Sequence, residues 1–269
     1  MSGRWPQGRH ARAPSPARAP SPARPGGPGW TLADTELRSL DNGAYGVDIA
    51  IVDPARPLVI AYEHFGTAGP VEGRLGWSVE FALRHRCNVV SFKESERTWW
   101  FRRPAMAELV ERVRGEVDLA AFPRRIGYGV SMGGFAAATY AEALRCDALL
   151  LIAPILTFDA ALVPGETRFR GAAARDWSVE PRDGARDGAG VPEVTVVYDP
   201  LRTPDRVQAR VPLPPSAPLL AAHSGVAAAA DRFGSSSFFQ SARQQHADSQ
   251  HHLSHAHCHG PVDAWWRAS

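Results

Sequence analysis

Five consecutive residues, Gly129-Val130-Ser131-Met132-Gly133, set the first chemical expectation. A serine hydroxyl attacks a carbonyl carbon only when it is held clear of its own backbone and offered a base. The G-x-S-x-G spacing meets the first condition. The serine stands at a sharp, strained turn between a strand and a helix, and a side chain two residues before or after it would strike the neighbouring backbone. Glycine is therefore required at both places. The helix that follows points free N–H groups and the positive end of its dipole at the spot where an oxyanion would form. The bare pattern arises by chance in roughly one chain in ten of this length, so context has to decide. Here an apolar run, Arg125-Ile-Gly-Tyr-Gly-Val130, precedes the serine. Gly134 and an alanine-rich segment follow it, and then another apolar run, Ala148-Leu-Leu-Leu-Ile-Ala153. The competing reading is a serine that merely opens a tight strand–helix turn.

The stretch Gly127-Tyr-Gly-Val-Ser-Met-Gly-Gly-Phe-Ala-Ala137 resembles the nucleophile elbow of the α/β-hydrolase superfamily. The order of elements over about residues 44–225 is similar too. The resemblance implies a three-layer α/β/α fold with a mostly parallel sheet, and a Ser-His-Asp triad in the chain order serine, acid, histidine. Asp199 directly follows the run Glu193-Val-Thr-Val-Val-Tyr198 and is the expected acid; Asp205 is the alternative. Either could instead cap a turn beside proline. His223 is the one histidine between Ser131 and the C-terminal stretch, which makes it the expected base; the plain reading is a surface-loop histidine. The backbone N–H of Met132 is one expected oxyanion donor. The other is expected from the loop Glu63-His64-Phe65-Gly66-Thr67, at His64 or Phe65. Such a set cleaves an ester or related acyl bond with no cofactor. Segments Asn88-Val-Val-Ser-Phe92, Trp99-Trp100 and Tyr198-Asp199-Pro200 are similar to bacterial hydrolases associated with surface-polysaccharide gene clusters. That likeness implies a small-molecule or glycan-linked acyl substrate. An acyltransferase and a catalytically inactive interaction protein on the same fold are the rival readings.

These groups need a scaffold, and the hydrophobic pattern describes one. Strands are expected at Pro57–Tyr62, Asn88–Phe92, Arg125–Val130, Ala148–Ala153, Glu193–Tyr198 and Ala217–Ala222. Helical spacing of apolar residues marks Gly76–Arg86, Ala105–Val117 and Gly133–Leu144. Continuous apolar strands alternating with helices imply parallel strands covered on both faces. Trp99 and Trp100 follow the second of these strands, at the end of the sheet where Ser131 would sit. They either line an apolar pocket or pack at the rim of the core. Residues 155–190 lose the pattern and read as a small lid or insertion.

Composition bounds the rest. With 269 residues and 44% apolar content, one domain is expected over residues 30–234. The 30 basic and 28 acidic residues nearly balance, which gives no reason to expect nucleic acid as a partner. No run of 18 apolar residues suggests a membrane span. Cys87, Cys146 and Cys258 form no CxxC pair, and the first two sit in apolar surroundings, as buried thiols of a reducing compartment do. A cytoplasmic location is the expectation. Residues 1–29, with the near-repeat Arg12-Ala-Pro-Ser-Pro-Ala-Arg18, are expected to be a disordered tail or the product of a start codon assigned too early. Residues 235–269 hold six of the ten histidines. They read as a low-complexity extension or a shifted reading frame, which could leave His223 accidental and the site dead. His251 and His255 are spaced to share a helix face toward zinc, but no acidic residue lies between them, so adventitious binding is the expectation and no metal role is assigned.

Overall fold

Valine, isoleucine and leucine runs favour extended backbone where both faces of a sheet are covered. The computed structural model describes residues 29–67, 69–96, 100–174, 177, 184, 188–211 and 219–221. It forms one eight-stranded sheet in the order β1-β2-β4-β3-β5-β6-β7-β8. The strands are β1 (Arg38–Asp41), β2 (Tyr45–Ala50), β3 (Leu58–Tyr62), β4 (Asn88–Glu94), β5 (Arg125–Val130), β6 (Ala148–Ile152), β7 (Glu193–Tyr198) and β8 (Leu219–Ala221). From β4 to β8 every neighbouring pair is parallel. β2 runs antiparallel to both its neighbours.

The alternation of side chains along each strand fills two separate cores. Leu58, Ile60 and Tyr62 of β3 and Leu149 and Leu151 of β6 pack on one face, under α2 (Pro104–Glu116) and α3 (Met132–Thr139). Val59 and Ala61, with Leu150 and Ile152, pack on the other, under α1 (Val79–Arg84). This is the expected three-layer arrangement. Two further helices, α4 (Arg170–Ala173) and α5 (Thr203–Gln208), are short.

Six strands coincide with sequence expectations to within one or two residues. The helix expected at Gly133–Leu144 is shorter, because turns from Tyr140 onward replace its last part. Strands β1 and β2 lack a clear pattern, for a physical reason. β2 places Asp48 inside the protein at 1% exposure, where Lys93 Nζ meets it at 2.8 Å. A buried ion pair reads in sequence like a solvent-facing residue.

Parallel pairing brings the carboxyl ends of β3, β5, β6, β7 and β8 to one edge of the sheet. The loops that leave that edge carry Glu63–Thr67, Ser131 and Asp199. Among the described residues no helix is long and apolar enough to cross a membrane.

Candidate active site

Gly127 and Gly129 lie on the α3 side of β5, so no side chain keeps helix and strand apart. A Cβ at Gly129 would overlap the carbonyl of Gly133. One at Gly133 would overlap the carbonyl oxygen of Tyr62 and stand 2.8 Å from that of Glu63. The first turn of α3 therefore rests on the ends of both β5 and β3. Both glycines of the motif are required by contact.

Ser131 occupies the junction at φ 52° and ψ −115°. A non-glycine residue there is strained by about 1–3 kcal/mol and persists only where its surroundings fix it. Three hydrogen bonds do so. Its N–H donates to the carbonyl of Ile152 at 3.0 Å, and its own carbonyl accepts from the N–H of Gly134 at 3.0 Å and of Ile155 at 3.1 Å. The residue is 5% exposed. The next residue, Met132, is the first of α3, where an N–H has no partner within the helix.

The loop after β3 stands beside this turn. His64 is fully buried, and its ring meets Trp77 edge-on at 5.9 Å; Trp77 stacks on Tyr128 of β5 at 4.9 Å. The ring nitrogen Nδ1 accepts the Gly66 N–H at 3.0 Å, while the His64 carbonyl accepts from Thr67 N–H at 3.1 Å and Thr67 Oγ1 at 2.9 Å. These bonds close a tight turn with Phe65 at its tip. Burial lowers the imidazole pKa from 6.5 to about 4, so the ring stays neutral and Nδ1 remains an acceptor.

Glu63, the residue before this turn, is fully buried. Its carboxylate is gripped by both terminal nitrogens of Arg74, and Oε2 also accepts the Glu94 N–H at 3.0 Å. Burial raises the Glu63 pKa, and the Arg74 guanidinium pulls it back down. A cavity of about 450 Å³ lies against this loop, lined by Gly66, Thr67, Arg74, Trp77, Ser78 and Phe81 among others; Ser131 is not in its lining.

The two candidate acids are placed differently. Asp199 follows β7 and is partly exposed; its Oδ1 accepts the Leu201 N–H at 2.9 Å. Asp205 lies inside α5 at 1% exposure, with Oδ1 2.7 Å from Arg168 Nη1. Arg168 also pairs with Glu166, and Gln208 ties Glu166 to Thr157. Asp205 is thus committed to a network that fastens the 157–168 segment to α5. Burial is the main reason its pKa is raised, with Arg168 opposing.

His223 lies outside the described residues, as do Trp99, Cys258 and both terminal stretches apart from Gly29. Trp100 is 1% exposed and packs edge-on against Phe158 at 5.1 Å and Phe169 at 5.5 Å. It belongs to the core, with Phe158 and Phe169 packed against it. Arg74 had no signal in the sequence, because it reaches Glu63 across a loop of no regular period. Among the described residues no three His, Cys, Asp or Glu side chains are grouped as metal ligands would be.

No protein-family model matches the chain, and no curated protein matches it in sequence. Solved structures do match in shape. The capsule O-acetyltransferase of Neisseria meningitidis serogroup A aligns at 7% identity over 77% of this chain and 94% of that one, with a TM-score of 0.50. Esterase LipW from Mycobacterium marinum aligns at 18% identity, 80% and 82% coverage and a TM-score of 0.48. Carboxyl esterase 2 from Tuber melanosporum aligns at 15% identity, 86% and 91% coverage and 0.47. The chain has the α/β-hydrolase fold, as its strand order and its strand–serine–helix junction also indicate.

Proposed function

We propose that this protein is a serine hydrolase that cleaves an ester or related acyl bond. One observation carries the reading: Ser131 is held at φ 52° between β5 and α3, pinned by three backbone hydrogen bonds. Strain maintained at that cost fits a nucleophile better than an ordinary turn serine.

In this reading Ser131 Oγ attacks the acyl carbon while His223 takes its proton. The new C–O bond leaves a negative charge on the carbonyl oxygen. The N–H groups of Met132 and of Phe65 or His64 hold that charge. Loss of the alcohol, protonated by His223, gives an acyl-serine, which water then cleaves by the same two steps. Asp199 orients His223. Asp199 directly follows β7 and is partly exposed, whereas Asp205 is buried within α5 with its Oδ1 held by Arg168, and this favours Asp199. The place of His223 in the chain supports its role, because it comes two residues after Ala221, the end of β8, on the edge where Ser131 stands. No cofactor enters these steps.

A second reading replaces water by another hydroxyl as acyl acceptor. It is favoured by the name of one fold neighbour, a capsule O-acetyltransferase. Both readings keep Ser131 as nucleophile. A fluorophosphonate probe should label the wild-type protein and leave Ser131→Ala unlabelled. Absence of labelling from both would leave an inactive member of the fold. Product analysis with and without added alcohols or glycans then separates hydrolysis from transfer.

A further inference from the structure

The loop that offers the second oxyanion donor is fastened mainly by one side chain. Arg74 sits at its far end, 26% exposed at the side chain, and its guanidinium donates to the near end of the loop, to its middle and to the end of β4. Nη1 and Nη2 grip Glu63, the residue before His64. Nη2 also reaches the carbonyls of Gly69 at 3.2 Å and Glu94 at 3.3 Å, and Nε reaches the Pro70 carbonyl at 3.0 Å. Glu94 closes the circuit: its N–H donates to Glu63 Oε2 at 3.0 Å, and its carbonyl accepts the Gly69 N–H at 3.1 Å. The Arg74 carbonyl is in turn held by Lys93 Nζ at 2.7 Å, and Lys93 is anchored on Asp48 of β2.

Across from this loop, the α3 turn touches the carbonyls of Tyr62 and Glu63 through Gly133. The two halves of the expected oxyanion hole therefore meet at Glu63, one through a glycine contact and the other through the clamped carboxylate. We infer that Arg74 is a positioning residue for the oxyanion hole, setting through Glu63 and the 69–70 carbonyls where the 64–65 backbone stands relative to the Met132 N–H. The inference rests on the serine-nucleophile reading.

Two roles for Arg74 can be told apart. A cation needed only to offset the buried Glu63 charge is replaceable by lysine. A planar fork that holds one carboxylate and three carbonyls is not. A misplacement of the donor by about 1 Å is worth up to about a hundredfold in rate, felt in the transition state more than in binding.

The test compares wild type, Arg74→Lys and Glu63→Gln. Readouts are the rate of fluorophosphonate labelling, kcat and KM for p-nitrophenyl acetate, and the melting temperature. Positioning predicts that Arg74→Lys melts near wild type, with KM within about twofold, while kcat and labelling fall by about ten- to a hundredfold. Wild-type rates in Arg74→Lys would overturn the inference and leave the nucleophile reading standing. A wild type that is not labelled at Ser131 would overturn both. Should Arg74→Lys fail to fold, Glu63→Gln decides: a kcat loss of about tenfold at unchanged KM supports the inference, and an unchanged kcat overturns it.

Discussion

A histidine ring sealed in a loop gains little from a proton. His64 uses Nδ1 to accept the Gly66 N–H, and burial brings its pKa from 6.5 down to about 4. The sign follows directly. A depressed folded-state pKa means that the unfolded chain binds the proton more readily between the two values. His64 thus contributes stability that is complete above pH 6.5 and is lost as pH falls through about 4. The full effect is roughly 3 kcal/mol at about 1.4 kcal/mol per unit. Urea unfolding at steps from pH 7 to 4 should show the loss in wild type and a flatter profile in His64→Gln. Parallel profiles would show that the ring does not titrate with folding. The sharp strand–helix junction at Ser131 was legible from the sequence because its demands fall two positions away on either side, on Gly129 and Gly133. The Arg74–Glu63 clamp was not, since its partners are eleven positions apart in a loop without periodicity. The Arg168–Asp205 ion pair was likewise not legible, because only the fold brings the two together.

The junction of β3, β5 and α3 depends on glycine more than on any large side chain. Replacing Gly133 by alanine drives a methyl group into the carbonyls of Tyr62 and Glu63, which are backbone and cannot swing away. α3 has to retreat from the sheet. Overpacking of this kind costs about 1–3 kcal/mol, and here it also displaces the Met132 N–H. Gly133→Ala should lower the urea midpoint and slow fluorophosphonate labelling, whereas Gly115→Ala, with open space around its Cα on α2, should do neither. Equal labelling by Gly133→Ala and wild type would refute the contact argument. The parallel strands and α2 could be read from apolar runs and helical spacing because burial alone specifies them. The β1–β2 hairpin could not, since Asp48 hides a buried position behind a charge and β1 is mostly exposed.

Two cores separated by the sheet leave both described thiols inside. Cys87 is 5% and Cys146 9% exposed, and burial pushes their pKa values up to about 11 and about 12. The thiolate is the reactive form, so both should be inert in the native protein. In a Cys258→Ser background, Ellman's reagent at pH 8 should detect almost no thiol until urea is added, and then two. Rapid native reaction would mean that one of the cores opens. The three-layer class was visible from the alternation of strands and helices, and the burial of these thiols from their apolar neighbours. The placement of residues 157–168 was not, because their hold on α5 comes from polar side chains such as Gln208 and Arg168.

Two of the three hydrogen bonds that pin Ser131 are made with Ile152 and Ile155, more than twenty positions downstream. During synthesis the serine emerges well before the partners that shape it. Its strained geometry therefore depends on a later part of the chain and can arise only after β6 has docked beside β5. Until then a ribosome-bound fragment carries Ser131 without the partners that impose its strained backbone conformation.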